Sequence, residues 1–77
     1  MSFPSDKVLD LKGLPCPMPV VKMSMEIGSV AVGQVIEVLT TDPGSLSDFP
    51  AWCKTTGHEI VGIEQGNPIK IWVKRLE

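Results

Sequence analysis

No apolar run in this chain approaches the roughly 18 residues that a membrane-spanning helix needs. The opening stretch, "MSFPSDK", offers no apolar segment that would serve as a secretory signal. The cytoplasm is the expected compartment. Cysteine is scarce: two residues are too few for a disulfide scaffold, and in a reducing compartment each reads first as a thiol. Histidine is scarcer, with His58 alone. Two cysteines and one histidine at these spacings match no common zinc pattern, so neither metal nor cofactor is expected. Basic charge is short too, with seven Lys and Arg against nine Asp and Glu and a net charge of −2. Neutralising phosphates takes clustered Lys and Arg, so nucleic acid is not expected as the main partner. Lys70, Lys74 and Arg75 do gather near the end of the chain, and read as a solvated strand face with a charged end. There is no repeat, no low-complexity tract and no linker.

What is present suits one small domain over residues 1–77, with residues 1–5 expected to be flexible. The apolar fraction of 43% is that of a globular chain rather than a disordered one. "KVLDL" (7–11) alternates and reads as a first strand, followed by a turn at "KGLP". A helix is predicted from about Pro17 to Ile27, reaching as far as Ala31, with Val20, Met23, Ser24 and Ile27 on its apolar stripe and Lys22 and Glu26 opposite. "QVIEVLTT" (34–41) is the second strand, and Asp42-Pro43-Gly44 is turn chemistry. A second helix opens at Ser45 or Ser47, with Ser45 and Asp48 as a loose capping box. Pro50 argues for a late or irregular start. Leu46, Phe49, Pro50 and Cys53 face one way, and Gly57 is placed to end the helix in a left-handed conformation. "HEIVGIE" (58–64) and "IKIWVKRL" (69–76) are the last two strands, with Ile69, Ile71 and Val73 on one face and Lys70, Trp72 and Lys74 on the other. The order βαβαββ, with right-handed crossovers, places both helices on one face of a four-stranded mixed sheet. The expected fold is a two-layer α/β (α+β) sandwich whose other sheet face is partly open.

The stretch "GLPCPMPVV" (13–21) carries the chemistry. The first N–H groups of a helix lack internal partners, and proline has no N–H to lose there. With Cys16 as the cap residue, Pro17 and Pro19 become the first and third helical positions and stiffen the first turn. The helix dipole then favours a Cys16 thiolate, with the Met18 amide as its expected contact and a moderately lowered pKa. Cysteine is often a buried apolar residue, but Gly13 and the prolines put Cys16 in a surface turn. Cys53 lies on an apolar stripe and reads as core. A Cys-x-x-Cys oxidoreductase is excluded, because residue 19 is proline. A cysteine hydrolase needs a base, and His58, at a strand start, reads as a turn histidine. What remains is a thiol that accepts a group and hands it on, as in persulfide transfer.

The same residues carry a resemblance. "LDLKGLPCPMPV", with the CPxP motif Cys16-Pro17-Met18-Pro19, Gly33, Asp42-Pro43, "DFPAWC" (48–53) and "GHE" (57–59), is similar over nearly the whole chain to the TusA, or SirA-like, family of sulfur carriers. The resemblance implies the same βαβαββ sandwich and a persulfide on Cys16, with Pro17, Met18 and Pro19 supporting the helix start. It also implies a donor protein, a cysteine desulfurase or a rhodanese-like protein, and an acceptor with a carrier cysteine. The sulfur would serve tRNA thiolation, cofactor synthesis or sulfur oxidation. Such a chain is a carrier rather than a complete enzyme; classed as one, it is a sulfurtransferase. Partner docking is expected at Met18, Lys22 and Asp42, and the chain is expected to be a monomer. Relatives that dock desulfurases for tRNA thiolation carry basic residues midway along the first helix, where this chain has Ser24-Met25. Val21 and Met25 either widen the core stripe, the plainer reading, or form an apolar docking rim. Two other classes compete: an RNA-binding or regulatory module that stacks bases on Trp72 between Lys70 and Lys74, and a redox adaptor that uses Cys16 and Cys53 together.

Overall fold

The computed structural model describes residues 5–77. The flexible start expected for residues 1–5 falls, for residues 1–4, outside the described residues. Strand β1 spans Lys7–Asp10 and β2 Val35–Thr40, joined by helix α1, Met18–Glu26. A 3₁₀ turn at Ile27–Ser29 follows α1, so the helix stops short of Ala31. Helix α2 runs Ser45–Thr56, and strands β3 (Glu59–Glu64) and β4 (Ile69–Lys74) close the chain. The sheet order is β1-β2-β4-β3, with β1 parallel to β2 and β4 antiparallel to both its neighbours. The expected four-stranded mixed sheet with two helices is what the chain forms.

Register decides what each face holds. Leu9, Val38, Ile71 and Ile63 align across the four strands, as do Lys7, Ile36, Val73 and Ile60. Because side chains alternate along a strand, these rows share a face, and Ile36, Val38, Ile71 and Val73 are fully buried there. Met23 from α1 and Phe49 and Cys53 from α2 belong to the same core cluster, which puts both helices on that face. Ser24, expected on the buried stripe, is exposed and turns its hydroxyl back to the Val20 carbonyl at 3.0 Å. Pro19 takes the buried place instead. Glu26 pairs with Lys7 of β1 at 2.6 Å, which offsets its unfavourable place at a helix C-terminus.

Helix α2 departs from expectation at its start. Pro50 lies inside the helix, at its sixth residue, rather than delaying it. The amides of Ser45, Leu46 and Ser47 bond three residues back, to Asp42, Pro43 and Gly44. This tight first turn satisfies the early donors, and proline then forgoes a single bond. No capping box forms: Gly44 is the cap, with no side-chain bond, and Ser45 meets Thr40 in a buried hydroxyl pair at 3.2 Å. Gly57 does end the helix in the left-handed region, at φ 84°.

Trp72 overturns the RNA-stacking reading. It does face away from the helices, in register with Glu37 and Gly62, but it is fully buried. Its Nε1–H donates to Glu37 Oε1 at 3.2 Å, and the residue opposite in β3 has no side chain to crowd the indole. A buried ring has no face to offer a base. Arg75 is likewise structural, donating to the Val30 carbonyl at 2.6 Å. Among the described residues no helix is long and apolar enough to cross a membrane.

Candidate functional site

Strands β1 and β2 are adjacent and parallel, so their carboxyl ends open at the same edge of the sheet, and α1 and α2 both begin there. The loop before α1 and the loop before α2 are stitched together by Gly13 N–H to Thr41 Oγ1 at 2.9 Å and Leu11 N–H to the Leu39 carbonyl at 2.8 Å. Gly13 turns in the left-handed region, at φ 83°. Between the loops lies an open cleft of about 240 Å³, lined by Gly13, Leu14, Pro15, Thr41, Asp42 and Pro43.

Cys16 stands at this junction, exposed and unpaired with Cys53. The peptide from Cys16 to Pro17 is cis. Helix α1 starts one residue later than the sequence suggested, with Pro17 as its cap and Pro19 as its second residue. The Met18 amide, expected to meet the sulfur, bonds to the Pro15 carbonyl at 2.9 Å. Pro17 and Pro19 have no N–H at all. No amide of this first turn hydrogen-bonds the Cys16 sulfur.

The thiol turns to α2 instead. Cys16 Sγ–H donates to Asp48 Oδ2 at 3.2 Å. Its pKa is raised from the ordinary thiol value, first by that hydrogen bond, then by desolvation and by the charges of Asp48 and Asp42. The expected lowering is overturned for a plain reason: carboxylates, not amides, face the sulfur. Asp48 is held in the first turn of α2 by its own N–H to the Gly44 carbonyl at 2.9 Å, where the helix dipole favours a negative charge. Asp42 accepts the Gly44 N–H on Oδ1 at 3.3 Å, while its buried Oδ2 has no partner. Gly44 lets the two carboxylates converge, since a Cβ there would sit 3.2 Å from Asp42 Oδ2 and 3.6 Å from Asp48 Oδ2.

Of the residues singled out in the sequence, Cys16 and Asp42 come together, with ligand atoms of Cys16, Asp42 and Asp48 within 4.8 Å of one another. A soft sulfur that holds its proton and two hard oxygens make a mixed donor set, and the cluster matters here for its charge. Met18 and Lys22 lie on the exposed side of α1, and Pro17 and Pro19 shape its start. Val21 and Met25 are 40% and 68% exposed. They do not widen the core stripe, and with Met18 they form an apolar row along the outer side of α1.

Asp48 was missed as a site residue, since its sequence position three after Ser45 suggested a cap. The signal that pointed to it was "DFPAWC", quoted above for the family resemblance alone. His58 follows the far end of α2, beyond the Gly57 cap, and from Asp48 to the helix's last residue, Thr56, is already about 12 Å at 1.5 Å per residue. There it accepts the Leu76 N–H at 3.2 Å and packs on Trp52, so it is no base for Cys16. Cys53 is 3% exposed, and burial pushes its thiol up to about 11. That removes the second thiol a two-cysteine adaptor would need.

The family model described as "Sulfurtransferase TusA" matches residues 7–75. The chain is 38% identical over 71 residues to the sulfur carrier protein TusA of Allochromatium vinosum, covering 91% of this chain and 93% of that one. It is 34% identical over 76 residues to the sulfur carrier protein TusA of Pseudomonas paraeruginosa, covering 97% and 96%. A crystal structure of a SirA-like protein from Desulfitobacterium hafniense superposes with a TM-score of 0.76 at 19% identity, covering 92% of this chain and 99% of that chain, and bears out the fold.

Proposed function

The chain belongs to the TusA family of sulfur carriers, and we propose that Cys16 is the atom on which its sulfur travels, as a persulfide. One observation carries this assignment: Cys16 is exposed at the mouth between two loops, whereas the other cysteine is buried. A persulfide adds one sulfur atom beyond Sγ and needs open space, which the adjoining cleft supplies.

A sulfur carrier works between a donor protein and an acceptor protein. The donor is proposed to be a cysteine desulfurase or a rhodanese-like protein, and the acceptor a protein with its own carrier cysteine. The contact surface is proposed to be Met18, Val21 and Met25 with Lys22 at its centre, and Asp42 across the cleft. Methionine adapts its shape to more than one partner, which suits a surface that must meet a donor and an acceptor in turn. The paucity of cations along α1 supports a donor interface less electrostatic than that of the tRNA-thiolation carriers, with sulfur bound for tRNA, a cofactor or sulfur oxidation. The working form is proposed to be a cytoplasmic monomer.

The experiment is an intact mass after incubation with a cysteine desulfurase and cysteine, or with a sulfane donor. Wild type is expected to gain the mass of sulfur, and Cys16→Ser to gain none. Equal loading of the two proteins would overturn the assignment of Cys16.

A further inference from the structure

We infer that Asp48 is the proton acceptor of Cys16 during sulfur transfer, taking the thiol proton as the new S–S bond forms. The inference rests on Cys16 being the carrier atom and deepens that reading. A thiolate, not a thiol, attacks a persulfide. Yet this thiol faces two carboxylates and holds its proton at rest. A base must therefore act within hydrogen-bond reach. Asp48 Oδ2 already accepts the Sγ–H at 3.2 Å. The alternatives fall away by geometry. The Met18 amide is a donor and is bound to Pro15. His58 lies at the far end of α2. Asp42 is nearby with its Oδ2 unpartnered, but the Sγ–H is directed at Asp48 and not at Asp42.

The step balances without oxidant or reductant. A donor persulfide, R–S–S–H, presents its outer sulfur to Cys16. Cys16 Sγ forms a bond to that outer sulfur while the donor's own S–S bond breaks, and the electron pair leaves with the inner sulfur as R–S⁻. The Cys16 proton passes to Asp48 Oδ2 and from there to the departing R–S⁻. The products are the Cys16 persulfide and R–SH, with one S–S bond lost and one made. Delivery runs the same path backward: an acceptor thiol gives its proton to Asp48 as its sulfur takes the outer sulfur, Cys16 leaves with the electron pair, and Asp48 passes that proton to it. A carboxylate is a far weaker base than a thiolate, so the proton rests on sulfur before and after, and moves only as the bonds change.

This predicts a crossed result for Asp48→Asn. Removing the carboxylate eases formation of a free thiolate, so alkylation of Cys16 by iodoacetamide becomes faster than in wild type. Loading from glutathione persulfide, read by mass against time from pH 6 to pH 8, becomes slower. Without an acceptor the variant depends on the free thiolate fraction, so the ratio of wild-type to variant loading rate falls by up to about tenfold per pH unit. Asp48→Glu, which keeps a carboxylate, is expected to retain the wild-type pH dependence, and Asp48→Ser to repeat the Asn result if folding spares only one of the two. A ratio that does not change with pH, or an Asn variant that loads at least as fast as wild type at pH 6, would overturn the role of Asp48 and leave Cys16 as carrier. A wild type that gains no sulfur at any pH would instead bring down the carrier assignment, and this inference with it.

Discussion

Replacing Cys53 separates a core cysteine from a working one. The residue is 3% exposed on α2, inside the cluster that contains Phe49, Ile71 and Val73. Cys53→Ala removes one buried sulfur, comparable to a large methylene, and is expected to cost about 1–2 kcal/mol in lost burial and cavity. Cys53→Ser keeps most of the volume but buries a hydroxyl, at about 1–3 kcal/mol if unpaired. This helix has a remedy, since Thr55 and Thr56 already donate to the carbonyls four residues back, at 3.0 and 2.7 Å. A serine at 53 reaches the Phe49 carbonyl in the same way, which limits its cost to about 1–2 kcal/mol. In a domain of this size each kcal/mol lowers Tm by about 4–8 °C, so both variants are expected to melt about 4–16 °C below wild type. The assay is thermal unfolding by circular dichroism beside sulfur loading by intact mass. Loading of Cys16 is expected to be unchanged below the transition. Full wild-type stability together with lost loading would refute the core assignment and restore a role for the second thiol.

Burial of Cys53 also has a pH signature. Its folded pKa is raised to about 11, above that of an unfolded thiol, so the folded state holds the proton more tightly. The associated stability is complete below about pH 9 and is lost as pH rises toward 11. Two pKa units correspond to about 2.7 kcal/mol; urea unfolding from pH 8 to 11 is therefore expected to fall more steeply for wild type than for Cys53→Ala, and parallel curves would contradict it. Gly57→Ala places a Cβ at φ 84°, where the Glu77 side chain also lies. It is expected to cost about 1–2 kcal/mol, visible as a lower urea midpoint, and an unchanged midpoint would deny that Gly57 caps α2. Met25→Ser, at a position 68% exposed, is expected to leave stability within about 0.5 kcal/mol. It should slow loading by a desulfurase while sparing loading from glutathione persulfide; equal effects on both would remove Met25 from the docking surface.

The strand and helix order was legible because alternation in 35–40 and 69–74 and helical spacing around Met23 and Phe49 follow from which side chains must be buried. The left-handed end at Gly57 was legible for the same local reason. What escaped was non-local. Trp72 reads as an exposed member of a polar row, and its complete burial and its bond to Glu37, thirty-five residues away, appear only in the folded chain. Ser24 fits the stripe by spacing, yet Pro19 fills that side of α1. Most consequential is Cys16. Its flanking residues foretell exposure and a proline-rigid turn, both observed, but its ionisation depends on Asp48, thirty-two residues away. Helix-dipole reasoning from local sequence gave the opposite sign of shift, because it could not see that the fold brings the carboxylates of Asp48 and Asp42 beside the sulfur.

The acidic surroundings of Cys16 reconcile two demands on a carrier. A thiolate kept permanently at the surface is open to oxidants and stray disulfides, because oxidation follows thiolate character and exposure. Two carboxylates beside the sulfur keep the thiol neutral, so exposure to partners does not entail general reactivity. Asp48 supplies the proton path when a persulfide is in place, whereas Asp42 contributes charge alone, through a carboxylate anchored at Gly44. The two roles separate experimentally. Asp42→Asn is expected to speed oxidation of Cys16 by hydrogen peroxide, because it removes one of the charges that oppose the thiolate. Its loading from glutathione persulfide is expected to keep the wild-type pH dependence, because Asp48 remains. An unchanged oxidation rate would show that the Asp42 charge does not govern the sulfur, and the protection would then belong to Asp48 alone.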